Sequence, residues 1–145
     1  MKKIYLLDTS IVSEFTKVNP NETVASLYEE RKDFCAISAT CWQELIYGIS
    51  RLPEGKRKTS LSDFASDLRD NTEILPYDDF AAKICGSLLA KAERRGKSLP
   101  VMDCQIAATA IANGMVLVTR NVSDFSEVAE SDFLNMENWF APADL

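Results

Sequence analysis

Short apolar runs alternate with longer stretches of helical spacing along this chain. Ile4-Tyr5-Leu6-Leu7, Ile74-Leu75 and Met115-Val116-Leu117-Val118 are nearly unbroken runs, and Cys35-Ala36-Ile37 is a weaker one. Runs of this kind suit strands covered on both faces, the pattern of a parallel sheet. Between them, apolar residues recur at three and four. Val24, Leu27 and Tyr28 follow Pro20-Asn21-Glu22, while Trp42, Leu45, Ile46 and Ile49 fit one helical face and Leu61, Phe64, Ala65 and Leu68 another. Phe80, Ile84, Ser87, Leu88 and Ala92 continue the pattern along a helix ending near Gly96. Ile106, Ala107, Ala110 and Ile111 form the last stripe, with Gly114 as its C-terminal stop. Pro53-Glu54-Gly55 separates two helices. A final short strand is expected near Phe133-Leu134-Asn135-Met136, before a loose tail through Pro142.

Strands alternating with helices imply βαβ units with right-handed crossovers. The predicted architecture is therefore α/β, a three-layer α/β/α sandwich around a central, mainly parallel sheet. The 145 residues suit one domain, residues 1–145, with no repeat or internal boundary.

Composition narrows the class. A hydrophobic share of 46% is that of a packed globular chain. No apolar run approaches the roughly 20 residues that span a bilayer, and Asp8 cuts the N-terminal run short of a signal peptide. A cytoplasmic protein without membrane association is expected. The four cysteines, Cys35, Cys41, Cys85 and Cys104, form no Cys-x-x-Cys pair, and there is no histidine to complete a mixed zinc site. They read as small buried hydrophobes in a reducing compartment. The formal net charge of −6 argues against gripping nucleic acid through bulk positive charge. Two basic clusters remain, Lys56-Arg57-Lys58 and Arg94-Arg95-Gly96-Lys97. Each reads either as a solvated helix surface or as a phosphate-steering rim around an acidic centre.

Four acidic residues stand where predicted elements begin or end: Asp8, Glu44, Asp103 and Asp124. Asp8 directly follows the first strand and precedes Thr9 and Ser10. It is either a capping residue or a group at the carboxyl end of a strand, where open α/β sheets bind ligands. Glu44 comes early in its helix, where Thr40 and Gln43 have capping-box spacing. At about 100° per residue it falls away from the Trp42–Ile49 stripe, on the side of Gly48. An ordinary solvated glutamate gives the same pattern. Asp103 precedes Ile106, Ala107 and Ala110 by three, four and seven positions and so shares their apolar face. The helix dipole favours an aspartate in a first turn. Burying it on a packing face costs free energy unless a cation or donors compensate. Asp124 lies in the polar strand-exit loop Thr119-Arg120-Asn121-Val122-Ser123-Asp124-Phe125, whose Asn and Asp also suit local turns. Asp78 and Asp79 have a simpler account, one of them capping the long helix.

Two carboxylates about 4 Å apart repel by roughly 4 kcal/mol at an effective dielectric near 20. A set of four needs something positive to hold it together, and a hard divalent cation such as magnesium is the economical choice. Such an ion activates water and stabilises charge on a scissile phosphate, which points to phosphodiester hydrolysis. Without histidine, histidine acid–base ribonucleases and Ser-His-Asp hydrolases are excluded. No Gly-x-x-x-x-Gly-Lys-Ser/Thr loop is present, and Ser10 stands where an Asp-x-Asp phosphatase needs its second aspartate.

Leu6-Leu7-Asp8-Thr9-Ser10, Glu44-Leu45-Ile46-Tyr47-Gly48, Asp103-Cys104-Gln105-Ile106-Ala107-Ala108 and Leu117 through Phe125 together resemble the successive motifs of PIN-domain ribonucleases. The likeness is to the VapC-type toxins of type II toxin–antitoxin pairs and spans nearly the whole chain. The resemblance implies a PIN-like fold and an endoribonuclease dependent on magnesium, with manganese as a substitute. It implies an acidic quartet of Asp8, Glu44, Asp103 and Asp124, with Asp8, Asp103 and Asp124 as metal ligands. Thr9, Ser10, Thr119 and Asn121 match its supporting polar positions. It further implies an RNA substrate, a cognate antitoxin that occludes the site, and a homodimer. Many relatives carry a basic residue just before the third acid; here the nearest is Lys97. Two other classes stay open on the residues alone: an inactive partner-binding scaffold, and a metal-dependent DNA nuclease or phosphatase.

Overall fold

Among the described residues there are five strands, β1 (Tyr5–Leu7), β2 (Cys35–Ser38), β3 (Glu73–Leu75), β4 (Val116–Val118) and β5 (Met136–Glu137). They form one sheet in the order β3-β2-β1-β4-β5, and every pairing is parallel. This computed structural model describes residues 2–126, 128 and 134–140. The helices are α1 (Thr9–Glu14), α2 (Glu22–Arg31), α3 (Ala39–Ser50), α4 (Lys56–Asn71), α5 (Asp79–Arg94) and α6 (Val101–Ala112).

Alternation along each strand divides the core between two faces, because successive side chains point to opposite sides. Leu6, Ala36 and Leu117 face α5 and α6, where Cys85, Leu88, Ile106, Ala107 and Ala110 complete one core. Leu7, Ile37 and Val118 face the other way, onto Ile11, Val12, Val24, Cys41 and Leu68 of α1 to α4. The three-layer α/β/α sandwich expected from the pattern is therefore observed. All four cysteines are free and buried in these two layers.

Several expected local features are present. Asp78 caps α5 by accepting from the Ala81 N–H, and Asn21, which the sequence did not single out, caps α2 by accepting from the Val24 N–H. Gly114 takes a left-handed φ of 63°, and the Met115 N–H closes back on the Ala110 carbonyl to end α6. Other features differ. The cap of α3 is Ser38, which accepts from the Cys41 N–H, and not the Thr40–Gln43 box. The buried face of α3 runs through Cys41 and Ile49, leaving Ile46 at 37% exposure. In α5 the buried stripe is Ala81, Cys85, Leu88 and Ala92, with Phe80 turned outward. The last strand lies at Met136–Glu137, later than the apolar run suggested; Phe133 and the tail from residue 141 lie outside the described residues. Among the described residues, no helix is long and apolar enough to cross a membrane.

The strand order places the functional end of the sheet. From β1 the chain steps outward to β2 and β3, then returns through α5 and α6 to β4, on the opposite side of β1. The carboxyl ends of β1 and β4 thus flank a topological switch point, the crevice where open α/β sheets bind ligands.

Candidate active site

Asp8 occupies the N-cap position of α1, yet its side chain makes no capping bond to the helix. The carboxylate instead accepts from the Thr119 hydroxyl at 2.8 Å and the Ser10 hydroxyl at 3.1 Å, both on Oδ2. Thr119 sits at the carboxyl end of β4, so the two central strands are joined through this bond. The hydroxyls are themselves held: Thr119 Oγ1 accepts from the Asn121 N–H at 3.0 Å, and Ser10 Oγ from the Arg120 N–H at 3.1 Å. A carboxylate only 6% exposed is thereby fixed in direction by donors whose own orientation is set by the backbone.

Glu44 projects from the second turn of α3, half-buried, and accepts a 2.6 Å hydrogen bond from the Thr9 hydroxyl at the start of α1. It does not lie clear of the packed face as the helical wheel suggested, because that face is rotated toward Cys41. Cys41 itself lies beneath the acids: burial pushes its thiol up to about 12, Thr9 hydrogen-bonds it in the lowering direction, and Asp8 and Glu44 push it further up.

Asp103 stands in the first turn of α6, partly buried. Its carboxyl is raised above the ordinary value of 3.8, first by burial and then by the charges of Asp8, Glu44 and Asp124. Three acids from other stretches of the chain thus act on this carboxyl, and one of them, Asp124, lines the same cleft as Asp103. Asp124 lies in a short 3₁₀ turn, Val122–Phe125, and its side chain is exposed. Its backbone N–H bonds the Asn121 carbonyl, so the loop is a turn as well as a carrier of the acid.

The expected site residues are therefore gathered at one end of the sheet, with the supporting Thr9, Ser10, Thr119 and Asn121 among them. Among the described residues, however, no three acidic or thiol side chains form a ready metal cage. Asp103 and Asp124 border an open cleft, while Asp8 is buried beside them in the electrostatics of Asp103.

Among the described residues, two clefts flank the acids. One, of about 240 Å³, is lined by Thr9, Glu44, Leu45, Gly48, Arg57 and Leu61 among others. Gly48 has no neighbour within 4 Å of where a Cβ would stand, so the space expected beside Glu44 is present. The other, of about 480 Å³, is lined by Lys97, Ser98, Pro100, Asp103, Ser123, Asp124 and Ser126. Each basic cluster thus sends one residue, Arg57 or Lys97, to a rim. Sequence reasoning missed one contact that shapes the site. The Thr40 hydroxyl donates to Gln105 Oε1 at 3.0 Å, tying the helix of Glu44 to that of Asp103. The partners are 65 positions apart, and no local spacing signals such a bond.

A family model described as PIN domain matches residues 5–131. The chain belongs to the PIN-domain family. This PIN-domain chain is 33% identical over 137 residues to VapC ribonuclease Y4jK of Sinorhizobium fredii, covering 90% of the chain and 95% of the relative. It is 31% identical over 137 residues to the tRNA(fMet)-specific endonuclease VapC of Shigella flexneri, covering 93% and 97% respectively. The crystal structure of FitAcB from Neisseria gonorrhoeae matches it with a TM-score of 0.86 and 27% identity. That match covers 96% of this chain and 100% of the other. The PIN-domain assignment agrees with the parallel sheet and with the acids at its switch point.

Proposed function

We propose that this chain is a metal-dependent endoribonuclease acting as the toxin of a toxin–antitoxin pair. The observation that carries the proposal is the treatment of Asp8. A capping position is occupied by a buried carboxylate that declines the cap, takes two oriented hydroxyls on one oxygen, and faces a second acid that three like charges disfavour. A purely structural aspartate has no need of such neighbours. The relatives named ribonuclease and endonuclease support the reaction class.

The donor set is all oxygen, which suits magnesium and does not suit a soft metal. Magnesium characteristically keeps several waters and binds through one or two carboxylates plus substrate phosphate, so it does not require a closed protein cage. Asp8, Asp103 and Asp124 would hold it. When bound, it would supply positive charge to activate water and to stabilise the scissile phosphate and the departing oxygen.

The chain's own groups then divide the remaining work. Thr119 and Ser10 fix the direction of Asp8. The Thr9 hydroxyl donates to Glu44 Oε1, which fixes that oxygen and leaves the second to orient a water and accept its proton. Half-burial of Glu44 and Asp103 limits competing solvent. The substrate is RNA, and the partner is a cognate antitoxin that covers the acids. The resemblance to toxins of toxin–antitoxin pairs supports that partner, as it supports a homodimer.

Incubation of the purified chain with a structured RNA and magnesium tests the reaction. Cleavage should stop with a chelator and return with magnesium or manganese. Asp8→Asn and Asp103→Asn should each lower kcat by at least about 10²-fold with the fold intact by circular dichroism. Cleavage that survives both substitutions sinks the proposed site. Growth arrest on expressing the chain alone, relieved by a co-expressed neighbouring antitoxin, tests the biological role.

A further inference from the structure

The two clefts beside the acids differ in chemistry. The cleft on the Glu44 side is walled by Leu45, Ile49, Leu52 and Leu61. The cleft on the Asp103 and Asp124 side carries three serine hydroxyls and one lysine, and among the described residues neither an aromatic ring nor a large aliphatic side chain lines it. We propose that this second cleft is a backbone subsite for an unpaired RNA strand, with Lys97 contacting a phosphate beside the scissile one and Ser98 and Ser123 donating to the sugar–phosphate chain. The inference rests on the ribonuclease reading and names where its substrate lies.

Lys97 is placed by the end of α5. Gly96 adopts a left-handed φ of 67°, and the Lys97 N–H returns to the Ala92 carbonyl at 2.9 Å. This closure pins the backbone that carries the lysine while leaving the side chain exposed at the rim. On the opposite wall, Ser123 belongs to the same 3₁₀ turn as Asp124, and the Ser126 hydroxyl donates to the Ser123 carbonyl at 3.0 Å, bracing the turn. Among the described residues, no carboxylate lies within salt-bridge distance of Lys97, and the Ser98 and Ser123 hydroxyls have no protein partner. Those groups can therefore turn to a ligand without breaking an internal bond.

Size and charge select the occupant. A cleft of about 480 Å³ is in the range that receives one small-molecule-sized group, which matches one nucleotide unit of a strand laid along it. The chain carries a formal charge of −6, so a polyanion approaching the acids needs a local cation, and Lys97 is the one lining this cleft among the described residues. The described lining offers hydroxyls and an ammonium and no aromatic platform, which suits the sugar–phosphate backbone and not stacked bases.

The test is steady-state cleavage of an unpaired oligoribonucleotide, with magnesium, over a series of salt concentrations. Lys97→Ala should raise KM about tenfold, as loss of one charge-assisted contact does, with kcat within about twofold. The slope of log affinity against log salt should shrink by about 0.7, the increment for one phosphate contact on a single strand. Lys97→Arg should restore both values, and Ser123→Ala should raise KM by a smaller factor. Lys2→Ala, an equal change of charge at the opposite end of β1, should alter neither. Fluorescence anisotropy of the same oligonucleotide on Asp8→Asn protein gives the salt slope without cleavage. If wild-type protein cleaves while Lys97→Ala and Ser123→Ala keep its KM and salt slope, the subsite is wrong and the ribonuclease reading stands. A fall in kcat at constant KM overturns the subsite equally. If wild-type protein cleaves no RNA, both fall together.

Discussion

Asp103 carries a cost that the fold does not need. It stands partly buried on a helix whose later residues, Cys104 through Ala110 except Gln105, are fully covered. Burial and three neighbouring acids raise its carboxyl above 3.8. A raised acid binds its proton more tightly in the folded state than in the unfolded one, so the ionised group destabilises. That cost is fully present above the raised value and disappears as pH falls through it toward 3.8. Asp103→Asn should therefore stabilise the metal-free protein at neutral pH. By analogy with other relieved functional sites, about 0.5–2 kcal/mol is expected. Thermal melts in chelator check this: the variant should melt higher at pH 7, and the difference should close as the buffer is taken down through the carboxylate range. The same variant should be inactive. A higher melting temperature joined to lost cleavage separates a group kept for chemistry from one kept for packing. An equal or lower melting temperature at pH 7 would show that something in the fold compensates the charge.

At the scale of elements, what the sequence disclosed depended on how local the signal was. Strands β1 to β4, the Asp78 cap and the Gly114 stop follow from residues within a few positions of one another, and each is where the pattern placed it to within a residue or two, whereas β5 lies later than its apolar run. The phases of α3 and α5 were misjudged for one physical reason. Large apolar residues dominated the predicted stripes, whereas the faces that pack use Cys41, Ala81 and Cys85, whose small volumes let the helices sit close to their neighbours. Ile46 and Phe80 were left outward in consequence. The acids themselves were legible as strand-exit and helix-start residues. Their gathering was a matter of strand order, which no single motif encodes. The Thr40–Gln105 bond was wholly illegible and sets the relation of α3 to α6. Gln105→Leu removes the acceptor and leaves the Thr40 hydroxyl, 4% exposed, without it. A loss of about 1–3 kcal/mol is expected by urea unfolding, as for an orphaned buried donor. Cleavage should fall as well, with kcat dropping more than KM rises, since Glu44 and Asp103 lose their mutual register. Thr40→Val with Gln105→Leu should recover stability relative to the single variant, because neither polar group is then stranded.

The whole molecule is closed by its last described strand, and the site depends on that closure. β5 pairs with β4, and the Thr119 N–H donates to the Glu137 carbonyl at 3.0 Å. Thr119 in turn orients Asp8. Behind this edge, Trp139 is 2% exposed, meets the Tyr5 ring edge-on at 5.5 Å and donates its indole N–H to Glu137 Oε1 at 3.0 Å. Arg31 lies over both rings and reaches the same Glu137 oxygen at 3.1 Å, so α2, β1 and β5 share one contact cluster. That ion pair is partly exposed and contributes at most about 1 kcal/mol. The indole is the stronger element. Trp139→Ala should cost about 3–5 kcal/mol through lost packing. Trp139→Phe should keep most of the area, lose the N–H bond and cost about 1 kcal/mol beyond any void. Cleavage measured well below the melting transition distinguishes a remote support from a general weakening. If β5 holds Thr119 in place, the alanine variant should lose kcat even where circular dichroism shows it folded, and the phenylalanine variant should lose little. Full activity in folded Trp139→Ala protein would mean that Thr119 and Asp8 hold each other without the edge strand, and that the closure serves stability alone.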